Sequence, residues 1–331
     1  MAMRYVWLIA LLLLFGGCLD HKSVVRIYVS EDRVFSEPIL KAFERQSGIK
    51  VEAIYDTEES KGTGLMNRII AEAAHPQADL YWANEPIRAE VLRQKGLLQP
   101  YHSPNAKDIP DLFKDPNGYW CGFSARLRLF LVHNGTKLEP TSVLDYAKES
   151  FAHKGVIANP LFGTTAVHIA ALFVILKERA KEFLYRLKQN TAISTSNAES
   201  ADLVAQGRYQ FALVDSDDAV ARIRRGAKVH IRYPDQKPDQ MGIFVVPNAV
   251  MILKKAPHPK LAKKLMDYLL SPATEEALAK MACAQIPLHP HLAPPKELKP
   301  LEELKILPVR YEEVAKKLVQ IQPILREWAK E

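Results

Sequence analysis

Hydrophobic positions along the chain switch repeatedly between two spacings from residue 24 onward. Residues 24–30 and 49–55 are short β-branched runs typical of strands, whereas Ile39, Leu40 and Phe43 recur at the spacing of one helix face. The alternation continues to about residue 100 and restarts near residue 155. Strands that alternate with helices in this way predict an α/β fold, with a mainly parallel sheet flanked by helices in each half.

The interruption between the two halves predicts two lobes. A loop rich in Pro, Asn and Asp occupies residues 103–118, and two extended runs, residues 124–132 and 243–253, are long enough to cross between the lobes. A length of 331 residues also suggests about two domains. We predict a first lobe at residues 24–122 (rejoined by about 246–290), a second lobe at 123–245, and a C-terminal segment at 291–331 whose final helix packs on the lobes.

The N-terminus has the organisation of an export signal. Arg4 precedes an apolar run, residues 6–15, which is too short to cross a bilayer and is followed by two glycines and Cys18. This ending is similar to a bacterial lipobox, in which cleavage precedes the Cys and the thiol receives diacylglycerol. We expect a signal peptide at residues 1–17, lipidated Cys18, and a tether at 18–23 that anchors a periplasmic or cell-surface protein to the membrane. An ordinary signal peptide or a buried first helix is the alternative.

Composition narrows the class of protein. The formal charge is +7, but basic residues are scattered among acidic ones, which argues against nucleic acid as a partner. Cys121 and Cys283 either pair in an oxidising compartment or remain as two buried thiols. No Gly-x-Ser-x-Gly motif and no Cys/His spacing typical of a metal finger is present, so we expect no enzyme and no cofactor, with a secreted hydrolase as the unfavoured alternative.

Two predicted helices begin with glycine and threonine, one in each lobe. Gly allows close approach of a ligand to the backbone, and the first helical N–H groups lack intrahelical partners, so such starts favour an anion. Ordinary N-caps use the same residues, which is the simpler interpretation. Lys61, Arg126 and Arg128 add positive charge. The candidate oxyanion ligands are Lys61, Gly62, Thr63 and Gly64 in the first lobe, Gly163, Thr164 and Thr165 in the second, and Arg126.

Acidic residues follow three of the predicted strands, at the edge where α/β sheets bind ligands. Asp32 follows the first strand, Asn84 and Glu85 follow a later one, and Asp217 and Asp218 belong to a cluster after residues 211–214. Three interpretations of that cluster stay open: a helix cap, carboxylates that meet an amine or hydroxyls of an organic ligand, or ligands of a hard cation such as Fe(III), Mg²⁺ or Ca²⁺.

Several segments resemble the ferric-iron-type substrate-binding proteins of ABC importers. The likeness lies in residues 42–48 (AFERQSG), 78–82 (ADLYW), 96–100 (GLLQP) and 263–271, and in the export signal with Cys18. It implies a type II periplasmic-binding fold whose two lobes close about a hinge on a ligand. It also implies docking to a permease in the inner membrane, a monomeric protein and no covalent chemistry.

The chain departs from the iron-binding pattern at the ligand positions. Asp217 and Asp218 stand where iron-binding members place two adjacent tyrosines, and Asp32 stands where many carry His. The resemblance is therefore closer to members without these tyrosines, which take organic anions such as phosphonates and phosphorylated sugars. We predict a small oxyanion-bearing solute that meets Asp217 or Asp218 through a cationic or hydroxyl group. Ferric iron held by Asp32, Glu85, Asp217 and Asp218 is the second prediction.

Overall fold

The computed structural model describes residues 23–56 and 63–330. The predicted signal peptide, Cys18, Lys61 and Gly62 lie outside these residues. Within the described chain, the first lobe follows the predicted alternation closely. Its elements are β1 (Val24–Val29), α1 (Arg33–Ser47), β2 (Lys50–Tyr55), α2 (Gly64–Ala71), β3 (Leu80–Ala83), α3 (Pro86–Gln94) and β4 (Leu98–Gln99).

The second lobe repeats this arrangement, and three helices close the chain. The second-lobe elements are β6 (Gly155–Ala158), α4 (Gly163–Leu176), α5 (Arg179–Asn190), β7 (Ala192–Ser194), α6 (Asn197–Ala205), β8 (Phe211–Asp215), α7 (Ser216–Arg224) and β9 (Val229–Arg232). The two crossing strands are β5 (Cys121–His133) and β10 (Val245–Leu253), and the last helices are α8 (Pro259–Leu269), α9 (Pro272–Lys280) and α10 (Tyr311–Lys330).

The parallel sheets of the two lobes are joined by antiparallel crossing strands, so the sheet as a whole is mixed. Its order is β2-β1-β3-β10-β5-β8-β6-β7, with β4 beside β10 and β9 beside β5. Strand pairs inside each lobe, β1 with β2 and β3 and β6 with β7 and β8, are parallel because helices connect them. The pairs made by β5 and β10 are antiparallel because the chain leaves the first lobe along β5 and returns along β10.

The crossing strand β5 belongs to both lobes. Residues 121–127 pair with β10, and residues 128–132 pair with β8, so Arg126 and Arg128 lie where the lobes meet. Ser124 has φ 40°, a conformation that costs free energy for a non-glycine residue, and the register shifts opposite it between Pro247 and Asn248. The connection between the lobes is therefore locally irregular.

The last helix, α10, spans the junction. Near its start, Glu312 pairs with Arg93 of the first lobe at 3.1 Å. Near its end, the indole of Trp328 donates to the carbonyl of Leu184 in the second lobe at 2.9 Å. Between these ends it packs against α3 and α4, so it contacts both lobes.

Two features outside the site concern the cysteines and the membrane. Cys121 and Cys283 are free, buried thiols, and no disulfide joins them. Burial raises the pKa of each thiol to about 12. Among the described residues, no helix combines the length and apolar character that crossing a membrane would need.

Candidate functional site

Three aspartates meet where β8 ends and α7 begins. β8 is a fully buried strand that ends at Asp215, and Asp217 and Asp218 lie in the first turn of α7. One carboxylate oxygen from each of these residues lies within 4.8 Å of the others. The register pairs Arg128 of β5 directly with Asp215, so the cluster is at the junction of the lobes.

Asp215 is neutralised by the protein itself. Its Oδ1 accepts a hydrogen bond from Nη1 of the fully buried Arg128 at 2.9 Å, and its Oδ2 accepts from the hydroxyl of Thr164 at 2.8 Å. Burial opposes ionisation, but Arg128 and Arg126 outweigh it and hold the pKa of Asp215 below its ordinary value. Asp215 therefore links Arg128 to the start of α4 through Thr164, and the nearby guanidinium groups offset its charge.

Asp217 and Asp218 are less well balanced. Burial raises the pKa of Asp217 to about 6, with Asp215 contributing and Arg126 opposing. Burial, Asp217 and Asp215 raise the pKa of Asp218 to about 7, although Arg222 lies 3.1 Å away. Burial is the largest cause of both raised pKa values, so the ionised carboxylates are poorly solvated and a cationic or hydrogen-donating ligand group would stabilise them.

The raised pKa values of Asp217 and Asp218 predict how the free energy of unfolding depends on pH. A carboxylate whose pKa is raised on folding binds protons more readily in the folded state than in the unfolded chain, where Asp titrates near about 3.9. The free energy of unfolding should therefore increase as pH falls from about 8 to about 5, by about 1–3 kcal/mol after allowing for partial solvent screening. Urea unfolding at a series of pH values measures this.

The control for this measurement is the Asp217→Asn/Asp218→Asn protein. Subtracting its pH profile removes the contribution of other titrating groups. The unfolding free energy of the parent minus that of the variant should become more positive as pH falls; a difference that is flat, or that becomes more negative as pH falls, would contradict the raised pKa values.

Arg126 connects the cluster to the first lobe. Its Nη2 donates to the backbone carbonyl of Asn84, in the loop after β3, and its Nη1 lies 3.5 Å from Asp215. Burial lowers its pKa, but Asp215, Asp217 and Glu31 prevail and raise it, so the guanidinium remains charged. Glu31, Asn84 and Asp215, from the carboxyl ends of β1, β3 and β8, thus all interact with the Arg126 guanidinium.

The predicted helix start of the second lobe belongs to this network. Thr164 and Thr165 are buried, and their hydroxyls contact Arg128 at 3.3 and 3.1 Å. Gly163 begins α4 with φ +58°, which the glycine tolerates. The hydroxyls are therefore held by the protein, and the start of α4 contacts the aspartate cluster through Thr164.

The first-lobe helix start is arranged differently. α2 begins at Gly64 after the N-cap residue Thr63, and the amide of Leu65 donates to Oδ1 of Asp56 at 3.0 Å. A carboxylate of the protein already caps this helix. That arrangement disfavours a ligand anion at the same amide.

Two other candidates also have structural roles. The Glu85 side chain caps α3 by accepting from the amide of Ile87, and it pairs with Arg88 one turn later. Asp32 occupies the N-cap position of α1, where its backbone carbonyl accepts from the amides of Phe35 and Ser36. The structure therefore gathers Arg126, Thr164, Thr165, Asp217 and Asp218 around Asp215, whereas the contacts of Glu85 and Gly64 lie within the first lobe.

Two residues of this region were missed from the sequence. Asn197 begins α6, accepts from Arg128 at 3.0 Å and donates to Thr164 at 2.9 Å. Asp56 follows β2 and caps α2. Both stand at the carboxyl end of a parallel strand or at a helix start, so the rule that selected the other candidates would have found them.

Known proteins share this sequence pattern and fold. Residues 39–306 match the family described as bacterial extracellular solute-binding protein. The "Major ferric iron-binding protein" of Neisseria meningitidis is 25% identical over 85% of this chain and 86% of its own length. The "Putative 2-aminoethylphosphonate-binding periplasmic protein" of Salmonella typhimurium is 24% identical over 79% and 78%.

Solved structures agree on the architecture. The Trichodesmium protein IdiA (FutA), solved in complex with iron and citrate, superposes with a TM-score of 0.83 at 22% identity, over 93% of this chain and 100% of that chain. This likeness confirms the predicted two-lobed α/β fold.

Proposed function

Because the chain belongs to the family of bacterial extracellular solute-binding proteins, we propose that it captures a small solute between its lobes for an ABC importer. The solute carries an oxyanion and presents a cationic or hydroxyl group to Asp217 and Asp218. The main support for this proposal is that these two partly buried carboxylates have pKa values raised to about 6 and about 7. A positively charged or hydrogen-donating ligand group would therefore stabilise their ionised forms.

The oxyanion end of the solute would meet Arg126 and the start of α4. Arg126 stays charged, and the first amides of α4 provide donors beside the cluster. The capped start of α2 makes the second lobe the better anion site of the two predicted from the sequence. An aminoalkylphosphonate has both required ends, as the name of the Salmonella relative suggests.

A pair of matched ligands tests the assignment of the two ends. We expect 2-aminoethylphosphonate to bind and ethylphosphonate, which lacks only the ammonium group, to bind about ten- to a hundredfold more weakly. A hydrogen bond to a charged partner contributes about 1.5–3 kcal/mol. Isothermal titration of protein that has been unfolded and refolded to remove co-purified ligand measures both affinities.

Further ligands complete the test. A hexose phosphate replaces the ammonium with hydroxyls and should bind if the carboxylates accept hydrogen bonds from sugar. Equal affinity for the two phosphonates would refute the ammonium assignment, and binding of none of these compounds would refute the oxyanion-bearing class. Recovery of the ligand unchanged after long incubation is expected, because we propose binding without turnover.

Ferric iron is the second candidate, because the three aspartates could supply oxygen ligands to a hard cation. Its test is titration with a ferric chelate in the presence and absence of citrate. Tight iron binding that is lost in Asp217→Asn/Asp218→Asn, together with no binding of any phosphonate, would replace the first proposal with this one.

The cellular setting belongs to the same proposal. The apolar run and Gly-Gly-Cys ending support export and lipidation at Cys18, and thus a monomer held at the membrane near its permease. Mass spectrometry of the protein purified from membranes tests the lipid. An N-terminus other than diacylglyceryl-Cys18 would refute the anchor without affecting the proposed ligand.

A further inference from the structure

Six exposed or half-exposed lysines of the first lobe form a second charged region, on other elements than the aspartate cluster. They lie at the end of α3, in the turn after β10 and on α8. We call this region the lysine face, and its members are Lys95, Lys254, Lys255, Lys260, Lys263 and Lys264.

Local structure brings these lysines together. The amide of Lys254 donates to the carbonyl of Leu97 at 2.8 Å, which places the end of α3 beside the turn after β10. On α8, Lys260 is three and four residues before Lys263 and Lys264, so all three share one side of the helix. α8 begins four residues after Lys255 and packs against β10 and β1, so the six lysines lie in one region of the first lobe.

The lysines of this surface are not directly paired with acidic side chains in the described chain. Within the described residues, none of the six lysines forms an ion pair with a carboxylate. The nearest acid on α8, Asp267, instead accepts from the hydroxyl of Tyr101 at 3.0 Å, and Lys263 lies 4.9 Å from the centre of the Tyr101 ring. Asp79, beneath the turn, is buried and pairs with His258.

The lysine face lies at the edge of the sheet where the described chain begins. The registers align Ile252 of β10 with Leu80 of β3, and Leu80 with Ile27 of β1. Continuing this alignment places Lys254 and Lys255 level with the start of β1. Only β3 separates β1 from β10, so the two strands are about 10 Å apart.

The start of β1 is also the end nearest the proposed lipid anchor. Cys18 is five residues before Ser23, so an extended chain between them is at most about 17 Å long. Such a tether would hold this edge of the first lobe close to the membrane surface. Anionic headgroups attract lysines within about one Debye length, which is about 8 Å at physiological ionic strength.

We propose that the lysine face rests on the anionic lipid headgroups of the membrane to which the chain is tethered. The geometry depends on the proposed anchor at Cys18, whereas the charge complementarity does not.

Vesicle binding without the anchor tests this surface directly. A chain of residues 19–331 contains every described element and lacks Cys18. We expect it to sediment with vesicles of phosphatidylethanolamine and phosphatidylglycerol, to release at high salt, and to ignore vesicles of phosphatidylcholine. The variant Lys254→Gln/Lys255→Gln/Lys260→Gln should bind about a hundredfold more weakly, since each lysine contributes about fivefold.

The matched control removes three exposed lysines from the second lobe, as Lys137→Gln/Lys228→Gln/Lys237→Gln. It should bind anionic vesicles as the parent does. Equal loss in both variants, no loss in the first, or equal binding to neutral vesicles would overturn the proposal. Solute affinity should be the same in all three proteins, so a failure here is distinct from a failure of the proposed ligand.

Discussion

Solute binding is expected to fall at least a hundredfold in the Asp217→Asn/Asp218→Asn protein, while the unliganded protein becomes more stable. The two carboxylates are partly buried with pKa values raised to about 6 and about 7, so at neutral pH their ionised forms destabilise the fold. Neutral amides of similar shape remove that destabilisation, which should raise the free energy of unfolding by about 1–3 kcal/mol. They also remove the charge that the ligand would meet.

Titration calorimetry and urea unfolding at neutral pH measure the two effects on the same preparation. Asp202→Asn is the matched control, because Asp202 also pairs with Arg222, at 2.9 Å, but is outside the cluster. It should leave binding unchanged. A double variant that loses both stability and binding would show that the two aspartates serve the fold, and unchanged binding would place the ligand elsewhere.

The second large effect is expected from Arg128→Met, which should cost about 3–5 kcal/mol of unfolding free energy. Arg128 is fully buried and donates to Asp215, Thr164, Thr165, Asn197 and the carbonyl of Leu213. Methionine preserves much of the apolar length but leaves Asp215 ionised without its main partner.

A double-variant cycle with Asp215→Leu separates the pair from its surroundings. Removing both charges should recover part of the loss, because a buried ion pair replaced by apolar groups is often tolerated. Arg186→Met provides the comparison at a pair in which both Arg186 and Glu182 are exposed, and should cost about 1 kcal/mol or less. A loss below about 1 kcal/mol for Arg128→Met would contradict its assigned role.

Local patterns predicted most of the fold. Apolar spacing located the strands and helices of both lobes, because burial on a sheet and on a helix face imposes different periods. The two extended runs predicted the crossings. Their antiparallel pairing, which makes the sheet mixed, depends on the direction in which the chain enters and leaves the second lobe, and spacing within a strand does not record that direction.

The site was predictable in position more than in role. Strand ends indicated Asp217, Asp218 and Thr164, which the structure brings together with Asp215 because loops at the carboxyl edge of a sheet converge. The roles depend on partners distant in sequence: Thr164 bonds Asp215, 51 residues away. The pairing of Glu85 with Arg88, three residues later, was visible as a helical spacing, and it predicts a cap rather than a ligand.

Helix α10 limits how far the lobes can separate. One end is fixed to the first lobe by Glu312 and Arg93, and the other to the second lobe by Trp328. Pro323 lies between them and removes one backbone hydrogen bond from the helix interior. A rotation of one lobe against the other must therefore break one attachment or bend α10, and Pro323 is the position at which the helix bends most easily.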